Sequence, residues 1–317
     1  MILVFMLYLL FASTFTIGKA ALAYVSPFLF TGIRMVLAGS MLLSYAYFSS
    51  RKKNIFSRRD LLLFAQIIVF HIFCSYTLEF WALGYVTSAK ACLLYNLSPF
   101  ITALFSFFLF AEQLRFRQIS GLIVGFLGFI PILIAQTPLE QITWHIGFLS
   151  WPEIALIFSV TSSAYGWMIM KKRVARGYSF IFINGIGMAG GGVLALGLSC
   201  IIEGFPALKQ APVVIPWLAD SYGVFIENLA MLGMYTFTII LIANIIGYNL
   251  YAHLLSKYSA TFLSFAGFVT PLFAALLGWI FLGEIVTWHF FATIVFVICG
   301  LCLFHEKQEI EIEEKGL

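Results

Sequence analysis

Long apolar stretches, each about the length of a membrane-crossing helix, follow one another along almost the whole chain. A helix needs roughly 20 mostly apolar residues to cross about 30 Å of hydrocarbon. The stretches are continuously apolar rather than alternating, and they are about twice as long as a membrane β-barrel strand. The pattern therefore predicts an all-α integral membrane protein with ten transmembrane helices. The ten stretches span approximately residues 2–22, 26–48, 61–84, 87–110, 118–136, 153–171, 178–202, 229–251, 258–282 and 287–304.

The composition agrees with this pattern. Of the 317 residues, 62% are hydrophobic and 10% are charged, and the mean hydropathy is +1.00. A water-soluble domain has about 25% charged residues, so a soluble core cannot absorb this much apolar surface. The first stretch has no basic segment before it and continues almost directly into the second. We therefore expect it to be retained as a helix rather than cleaved as a signal peptide.

Positive charges fall mainly on one side of the predicted helices. When ten helices are threaded from a cytoplasmic N-terminus, 14 of the 18 Lys and Arg residues lie on the cytoplasmic side. They cluster in 51–60, 115–117, 171–176, at Lys257 and in the tail. Because cytoplasmic loops carry an excess of Lys and Arg, we expect both termini to be cytoplasmic.

The fourth and ninth apolar stretches share a spaced motif. Pro99 and Pro271 are each followed 13 positions later by a glutamate, Glu112 and Glu284 respectively. This duplication indicates that the chain consists of two related halves with five helices each. The two glutamates are expected to gate or cap their helices, or to make a repeated contact between a helix end and a loop.

An odd number of helices in each half places the second copy upside down in the membrane. We expect a first repeat at 1–136, an external linker at 137–152, a second repeat at 153–305 and an acidic cytoplasmic tail at 306–317. Inverted repeats are found in many secondary transporters, whose solute site lies near the bilayer midplane between the copies. The predicted organisation therefore favours a secondary transporter that works by alternating access.

Each proline interrupts a predicted helix. A proline removes one backbone donor and frees the carbonyl four residues earlier, here those of Tyr95 and Gly267. Bare carbonyls are costly in lipid, so we expect both to face the protein interior. A plain kink that curves the helix around its neighbours is an equally good interpretation. Pro99 and Pro271 are assigned a structural or gating role on either interpretation.

Short motifs in the first repeat and both Pro-to-Glu blocks resemble the EamA-type branch of the drug/metabolite transporter superfamily. In the first repeat these motifs are Ser13-Thr14-Phe15 to Lys19, Arg34, and Ala82-Leu83-Gly84-Tyr85. The resemblance covers nearly the whole chain and implies ten helices, cytoplasmic termini, a central cavity and alternating access. The run from Lys90 to Phe100 is similar to carriers of intracellular bacteria that import host metabolites, S-adenosylmethionine among them. This similarity implies a location in the inner membrane of a bacterium.

Glu79 places a carboxylate inside the third predicted helix, on one face with Ser75 and His71. An ionisable residue that faces lipid at membrane depth costs at least about 2.5 kcal/mol, so it indicates a functional site by default. We expect Glu79 to attract a cationic group of the solute or to carry a proton, and we include Ser75 among the expected solute ligands. The alternative is a structural pair with Lys90 or Arg34.

Three positive side chains, Lys19, Arg34 and Lys90, lie toward the predicted outer side near Glu79. Three positive charges against the one carboxylate of Glu79 leave a net positive charge, which would suit a carboxylate or phosphate on the solute. We include Lys90 among the expected solute ligands. Lys19 and Arg34 are expected to have a structural or gating role, including a pair with Glu79. Anchoring at the membrane interface is the alternative for both.

Further candidate ligands are aromatic or amide side chains. Tyr95 and Asn96 lie about one helical turn before the first proline, where they can hold a ring or an amino-acid group. In the second repeat we select Tyr165, Trp167 and Asn244 as solute ligands. Small polar residues and the GxxxG pairs in the fifth and seventh stretches are expected to pack helices together.

These observations favour a secondary transporter of a small organic metabolite, amino-acid-like or nucleoside-like, that works by exchange or proton coupling. A flippase for lipid-linked or amphipathic cargo is the alternative. An intramembrane enzyme is disfavoured because the sequence has no GxSxG or HExxH motif, and a channel because no filter element is recognisable. We expect no cofactor, metal or nucleic acid, and a monomer or homodimer with the solute and the bilayer as partners.

Overall fold

The computed structural model describes residues 2–49, 60–110, 116–174, 178–204, 221–255 and 266–305, which are mostly helical. Helices satisfy every backbone polar group internally, as continuously apolar segments in lipid require. In chain order the α-helices are α1 (Ile2–Ala21), α2 (Pro27–Ser49), α3 (Leu61–Gln66), α4 (Ser75–Leu83), α5 (Ser88–Tyr95), α6 (Ser98–Phe110), α7 (Phe116–Gly128), α8 (Ile130–Ile134), α9 (Pro138–Gln141), α10 (Trp151–Val174), α11 (Phe180–Ile202), α12 (Ser221–Ile239), α13 (Tyr248–Leu255), α14 (Thr270–Leu282) and α15 (Trp288–His305).

Segments with other backbone geometry join some of these helices. A first π-helical segment, Ile67–Cys74, connects α3 to α4, and a second, Ile240–Gly247, connects α12 to α13. A 3₁₀ turn, Gly267–Val269, leads into α14. Between α9 and α10 lies an antiparallel hairpin of β1 (His145–Ile146) and β2 (Leu149–Ser150).

Six helical stretches of the described chain are long and apolar enough to cross a membrane. Three further apolar helices are shorter, at Ile119–Ile134, Gly267–Leu282 and Trp288–Gly300. Helix occurs within each of the ten predicted stretches, and many large apolar side chains are exposed on the outer surface, where lipid can cover them. The chain is therefore an integral membrane protein built mainly of helices.

The eighth predicted stretch begins earlier in the structure than residue 229. Helix α12 starts at Ser221 and contains Glu227 and Asn228, both of which are buried. Burial inside the protein allows these two polar residues to lie within a helix, so hydropathy alone placed the start of this helix too late. The acidic tail 306–317 lies outside the described residues.

Glycines allow close contact between pairs of helices. A Cβ atom on Gly300 would lie 2.6 Å from the backbone nitrogen of Gly125 and 2.8 Å from the carbonyl oxygen of Gly121. A Cβ atom on Gly39 would lie 2.4 Å from the nitrogen of Ala189. Helix α15 therefore packs closely on α7, and α11 on α2, as expected of small residues at membrane helix contacts.

The backbone before each proline is irregular, but the two sites differ. The chain turns at Asn96 and Leu97, whose N–H groups donate to carbonyls three residues earlier, and this turn separates α5 from α6. At the second site the Thr270 hydroxyl donates to the Gly267 carbonyl oxygen at 2.6 Å. The expectation of a bare carbonyl at Gly267 is therefore corrected, because a neighbouring side chain satisfies it.

Candidate solute-binding site

Glu79 of α4 and Tyr95 of α5 form the centre of a buried polar cluster. The Tyr95 hydroxyl donates to Glu79 Oε2 at 2.6 Å. Glu79 is only 8% exposed, and Tyr95 is half-buried. Helix α4 begins at Ser75, one turn before Glu79, and α5 ends at Tyr95. The structure thus brings three of the expected solute ligands together at the ends and inner faces of two short helices.

Two hydroxyl groups extend the cluster to α10. Tyr95 Oη lies 2.8 Å from Ser159 Oγ, and the Ser159 hydroxyl donates to the Ser75 carbonyl oxygen at 2.7 Å. The three contacts from Glu79 to this carbonyl therefore all have hydrogen-bond length. Tyr95 and Ser159 supply one hydroxyl proton each. If Glu79 is ionised, the hydroxyl protons of Tyr95 and Ser159 can fill only two of these three contacts.

Arg34 supplies a positive charge beside the carboxylate. Its guanidinium carbon lies 4.6 Å from the ring centroid of Phe80 and 5.1 Å from that of Tyr76. Aromatic faces attract cations at these distances. Arg34 and Glu79 also attract each other electrostatically. The interpretation that associates Arg34 with Glu79 is therefore supported, and the cluster contains charges of both signs.

Irregular backbone lies on both sides of the cluster. The first π segment ends at Cys74, directly before Ser75, and the turn between α5 and α6 directly follows Tyr95. Such geometry is tolerated at membrane depth only where it is buried in protein or lines a cavity, and π turns occur frequently at functional sites. In this turn, the buried Asn96 Nδ2 has no hydrogen-bond partner among the described residues. A ligand acceptor at this position would satisfy it.

The expected ligands from the second repeat do not join the cluster in the same way. Tyr165 packs against Phe70, with ring centroids 5.4 Å apart. Trp167 is 42% exposed and stacks on Phe180. Residues two positions apart on a helix point roughly 200° apart, so Tyr165 and Trp167 lie on different faces of α10. The Trp167 ring also packs against the buried His71 ring, with centroids 5.1 Å apart, and its role as a solute ligand stays a prediction. Asn244 falls in the second π segment, and its side chain is outside the description.

Lys90 belongs to a different buried cluster. Its Nζ lies 2.8 Å from Glu140 Oε1 and 2.6 Å from Glu153 Oε1, and it donates to the Ala135 carbonyl at 3.0 Å. The Lys90 side chain is 2% exposed, and both carboxylate side chains are 0% exposed. The expected role of Lys90 as a solute ligand and partner of Glu79 is therefore corrected, because its charge is held by two other glutamates.

Sequence reasoning did not select these two glutamates, although a signal was present. Each ends an S/T-x-x-E pattern, Thr137 to Glu140 and Ser150 to Glu153, which is typical of a capping box. Both reciprocal bonds of the box are formed between Thr137 and Glu140. The Ser150 N–H donates to Glu153 Oε2 at 2.7 Å. A buried lysine needs a compensating charge, so the capping boxes were candidates for that role.

Lys19 and Glu284 form another ion pair at the predicted outer end of the helices. Lys19 Nζ lies 2.7 Å from Glu284 Oε1 and also donates to the Val86 carbonyl oxygen. Both oxygens of Glu284 accept from the backbone N–H of Ser88, the first residue of α5, at 2.9 Å. We call Lys19, Glu284 and Ser88 the outer latch. Lys19 therefore pairs with Glu284 rather than with Glu79, which corrects that expectation.

The outer latch and the Lys90 cluster remove the expected surplus of positive charge. Of the three cations assigned to the region of Glu79, the described contacts leave Arg34 beside it. Glu284 caps α5 rather than its own helix α14, because its carboxylate accepts from the first N–H of α5, where the helix dipole favours a negative charge. Its counterpart Glu112 lies outside the described residues.

Comparison with known proteins identifies the family. The model of the EamA-like transporter family matches residues 1–134 and 150–305, which is most of the chain. The chain belongs to the EamA-like transporter family. It is accordingly a membrane transporter of a small metabolite and not an enzyme, as its relatives in this family are named transporters.

Two similar proteins carry the name S-adenosylmethionine/S-adenosylhomocysteine transporter. The one from Chlamydia muridarum is 31% identical over 310 residues, 96% of this chain and 91% of the relative. The one from Chlamydia trachomatis serovar L2 is 30% identical over 310 residues, 96% of this chain and 89% of the relative. A solved crystal structure with 18% identity superposes with a TM-score of 0.55, covering 95% of this chain and 94% of that chain. The solved structure shares the fold.

Proposed function

We propose that this protein exchanges S-adenosylmethionine and S-adenosylhomocysteine across the bacterial inner membrane. The observation that carries the proposal is the alignment of 96% of the chain with relatives of that name. The site supports it, because S-adenosylmethionine combines a sulfonium cation, an amino-acid group and an aromatic base. A buried carboxylate, a guanidinium and several rings near one another suit these three parts.

Each part of such a solute has a partner in the cluster. Glu79 is assigned to its positive charge and Arg34 to its α-carboxylate, because guanidinium and carboxylate groups form strong paired hydrogen bonds. The rings of Tyr95 and Phe15, whose centroids are 5.6 Å apart, can stack on the adenine. The amide nitrogen of Asn96 is a donor for the base or the amino-acid group.

Alternating access between two inverted five-helix repeats is the proposed mechanism. The two segments that match the family, 1–134 and 150–305, support this division. Glu284 of the second repeat contacts Lys19 and Ser88 of the first repeat in the outer latch. We assign the outer latch to the state closed toward the outside, so that these contacts break when the outer end opens.

Counterflow in proteoliposomes tests the proposed function. Vesicles preloaded with unlabelled S-adenosylmethionine should take up labelled S-adenosylhomocysteine faster than empty vesicles, with saturation. Tyr95→Ala should reduce this uptake about tenfold or more, the change expected from losing about 1.4 kcal/mol of binding. Tyr45→Ala is the matched control and should keep it, because Tyr45 is 59% exposed on the outer surface of α2. Folded wild-type protein that shows no counterflow of either solute would contradict the proposal and direct attention to lipid-linked cargo.

A further inference from the structure

The two solutes differ by one methyl group and one positive charge. S-adenosylmethionine has a sulfonium, whereas the sulfur of S-adenosylhomocysteine is a neutral thioether; the remaining groups are the same. An exchanger therefore carries a cation in one direction and a neutral molecule in the other. An uncompensated charge at membrane depth is costly, so a site that serves both solutes needs a group that compensates for the difference.

Glu79 is suited to a cation without hydrogen-bond donors. Tyr95 donates to its Oε2, and Oε1 receives no hydrogen bond from the described residues. Among the described residues, the charged or titratable groups that interact with Glu79 are Arg34, Tyr95 and Cys92. An ammonium offers three donors and needs several acceptors. A sulfonium has none, and a carboxylate together with aromatic faces suffices for such a cation. One available carboxylate oxygen therefore fits the sulfonium better than the solute's α-ammonium.

The hydrogen count fits a second state of the same carboxyl group. Contacts of 2.6, 2.8 and 2.7 Å link Glu79 to Tyr95, Tyr95 to Ser159, and Ser159 to the Ser75 carbonyl. The two hydroxyl protons leave one contact without hydrogen. A proton on Glu79 completes the chain, since the carboxyl can donate to Tyr95, Tyr95 to Ser159, and Ser159 to the carbonyl. The contact lengths therefore fit both a carboxylate that accepts from Tyr95 and a protonated carboxyl group that donates to it.

We propose that Glu79 holds either the sulfonium of S-adenosylmethionine or a proton, so that the site has the same charge with either solute. With the sulfonium bound, the carboxylate is ionised and accepts from Tyr95. With the thioether bound, Glu79 carries a proton taken from water on the side of loading and releases it on the other side. One exchange then moves S-adenosylmethionine in one direction, and S-adenosylhomocysteine with one proton in the other, without net charge transfer. This inference rests on the proposed function.

Proton movement during exchange tests the inference directly. Proteoliposomes contain S-adenosylhomocysteine and an internal pH dye, and S-adenosylmethionine is added outside at about pH 6, where the α-ammonium of both solutes stays protonated. The interior should become alkaline by one proton per molecule exchanged. Exchange of either solute against itself should leave the pH unchanged. A membrane potential set by potassium and valinomycin should not change the rate.

The Glu79→Gln variant separates the carboxyl group from the rest of the site. Its affinity for S-adenosylmethionine should fall at least about tenfold relative to that for S-adenosylhomocysteine, the size expected for loss of a buried ionic partner. The exchange of one solute for the other that remains should move no proton. Tyr95→Phe keeps the carboxyl group and should still move one proton per exchange, at a lower rate.

Wild-type exchange that leaves the pH unchanged or responds to the potential overturns the inference, as does equal weakening of both solutes in Glu79→Gln. An absence of wild-type exchange instead overturns the proposed function.

Discussion

Lys19, Arg34 and Lys90 show three ways in which a membrane protein keeps a cation away from lipid. Lys90 is enclosed with two carboxylates, Lys19 pairs with Glu284, and Arg34 lies over aromatic rings near Glu79. The depth of these residues could be predicted from the sequence, because each interrupts an apolar stretch. Their partners could not, since Glu284 and the two carboxylates around Lys90 come from distant parts of the chain.

Removing the charge of Lys90 should destabilise the fold. In Lys90→Met, Glu140 and Glu153 remain buried without their shared cation, and breaking a buried pair in this way costs about 3–5 kcal/mol. We expect a loss of this size in the free energy of unfolding, measured by denaturant titration in detergent. The matched variant Lys19→Met should lose less than Lys90→Met, because Lys19 is 22% exposed and Glu284 keeps its hydrogen bonds from Ser88.

A triple variant distinguishes charge from packing at the same position. Lys90→Met combined with Glu140→Gln and Glu153→Gln removes all three charges and should recover much of the lost stability. If the triple variant is as unstable as Lys90→Met, the hydrocarbon chain of the lysine and not its charge stabilises the cluster, and our account of this cluster is wrong.

Glutamates cap several helices that begin at the predicted outer side. Glu203 accepts from the N–H groups of Phe28 and Leu29 at the start of α2, and Glu284 accepts from Ser88 at the start of α5. Carboxylates are favourable at helix N-termini because of the helix dipole. The helices themselves could be predicted from hydropathy. The caps could not, because they join segments that only the folded arrangement brings together.

Other irregular elements also depend on neighbours. A Cβ atom on Gly166 would lie 2.2 Å from the Cβ of His71, so the first π segment and α10 fit together only because this glycine has no side chain. No local propensity of residues 67–74 indicates a π turn, whereas the break after Tyr95 has a local signal in Pro99. Of the two irregular elements beside the site, the turn after Tyr95 could therefore be predicted from the sequence and the first π segment could not.

The outer latch depends on two glycines, Gly278 within α14 and Gly283 directly after this helix. Gly283 has φ 64°, a left-handed conformation that ends the helix and that glycine adopts readily. The chain then brings Glu284 back over Gly278, where a Cβ atom would lie 2.4 Å from Glu284 Oε2. The position of the carboxylate is thus set by the absence of side chains around it.

Gly278→Ala should weaken the outer latch. The added methyl group displaces the Glu284 carboxylate from Lys19 and Ser88, which should favour opening at the outer end and raise the rate of maleimide labelling of a cysteine at Ser88 several-fold. Gly233→Ala is the control, because a Cβ atom at this helical glycine meets nothing within 4 Å. Equal labelling rates in both alanine variants would show that the latch does not control access.

At the scale of the whole molecule, the apolar pattern rather than particular residues determines the architecture. A solved structure with 18% identity has the same fold over 95% of this chain, so most side chains can change while the arrangement of helices is kept. This is why the all-α membrane class could be predicted from hydropathy. The buried cluster around Glu79 could not, because Arg34, Tyr95 and Ser159 come from separate parts of the chain.

The orientation in the membrane remains to be tested, and it follows from the charges. Because most Lys and Arg residues fall on one side of the predicted helices, the hairpin at His145–Ile146 should lie outside the cell and the C-terminus inside. In a cysteine-free background, His145→Cys, an exposed position, should react with a membrane-impermeant maleimide in intact spheroplasts. Leu317→Cys should react only after permeabilisation. The reverse pattern would invert the assignment of the latch to the outer face. Reaction of both cysteines in intact spheroplasts would require an even number of crossings between them, which excludes a second repeat of five complete helices.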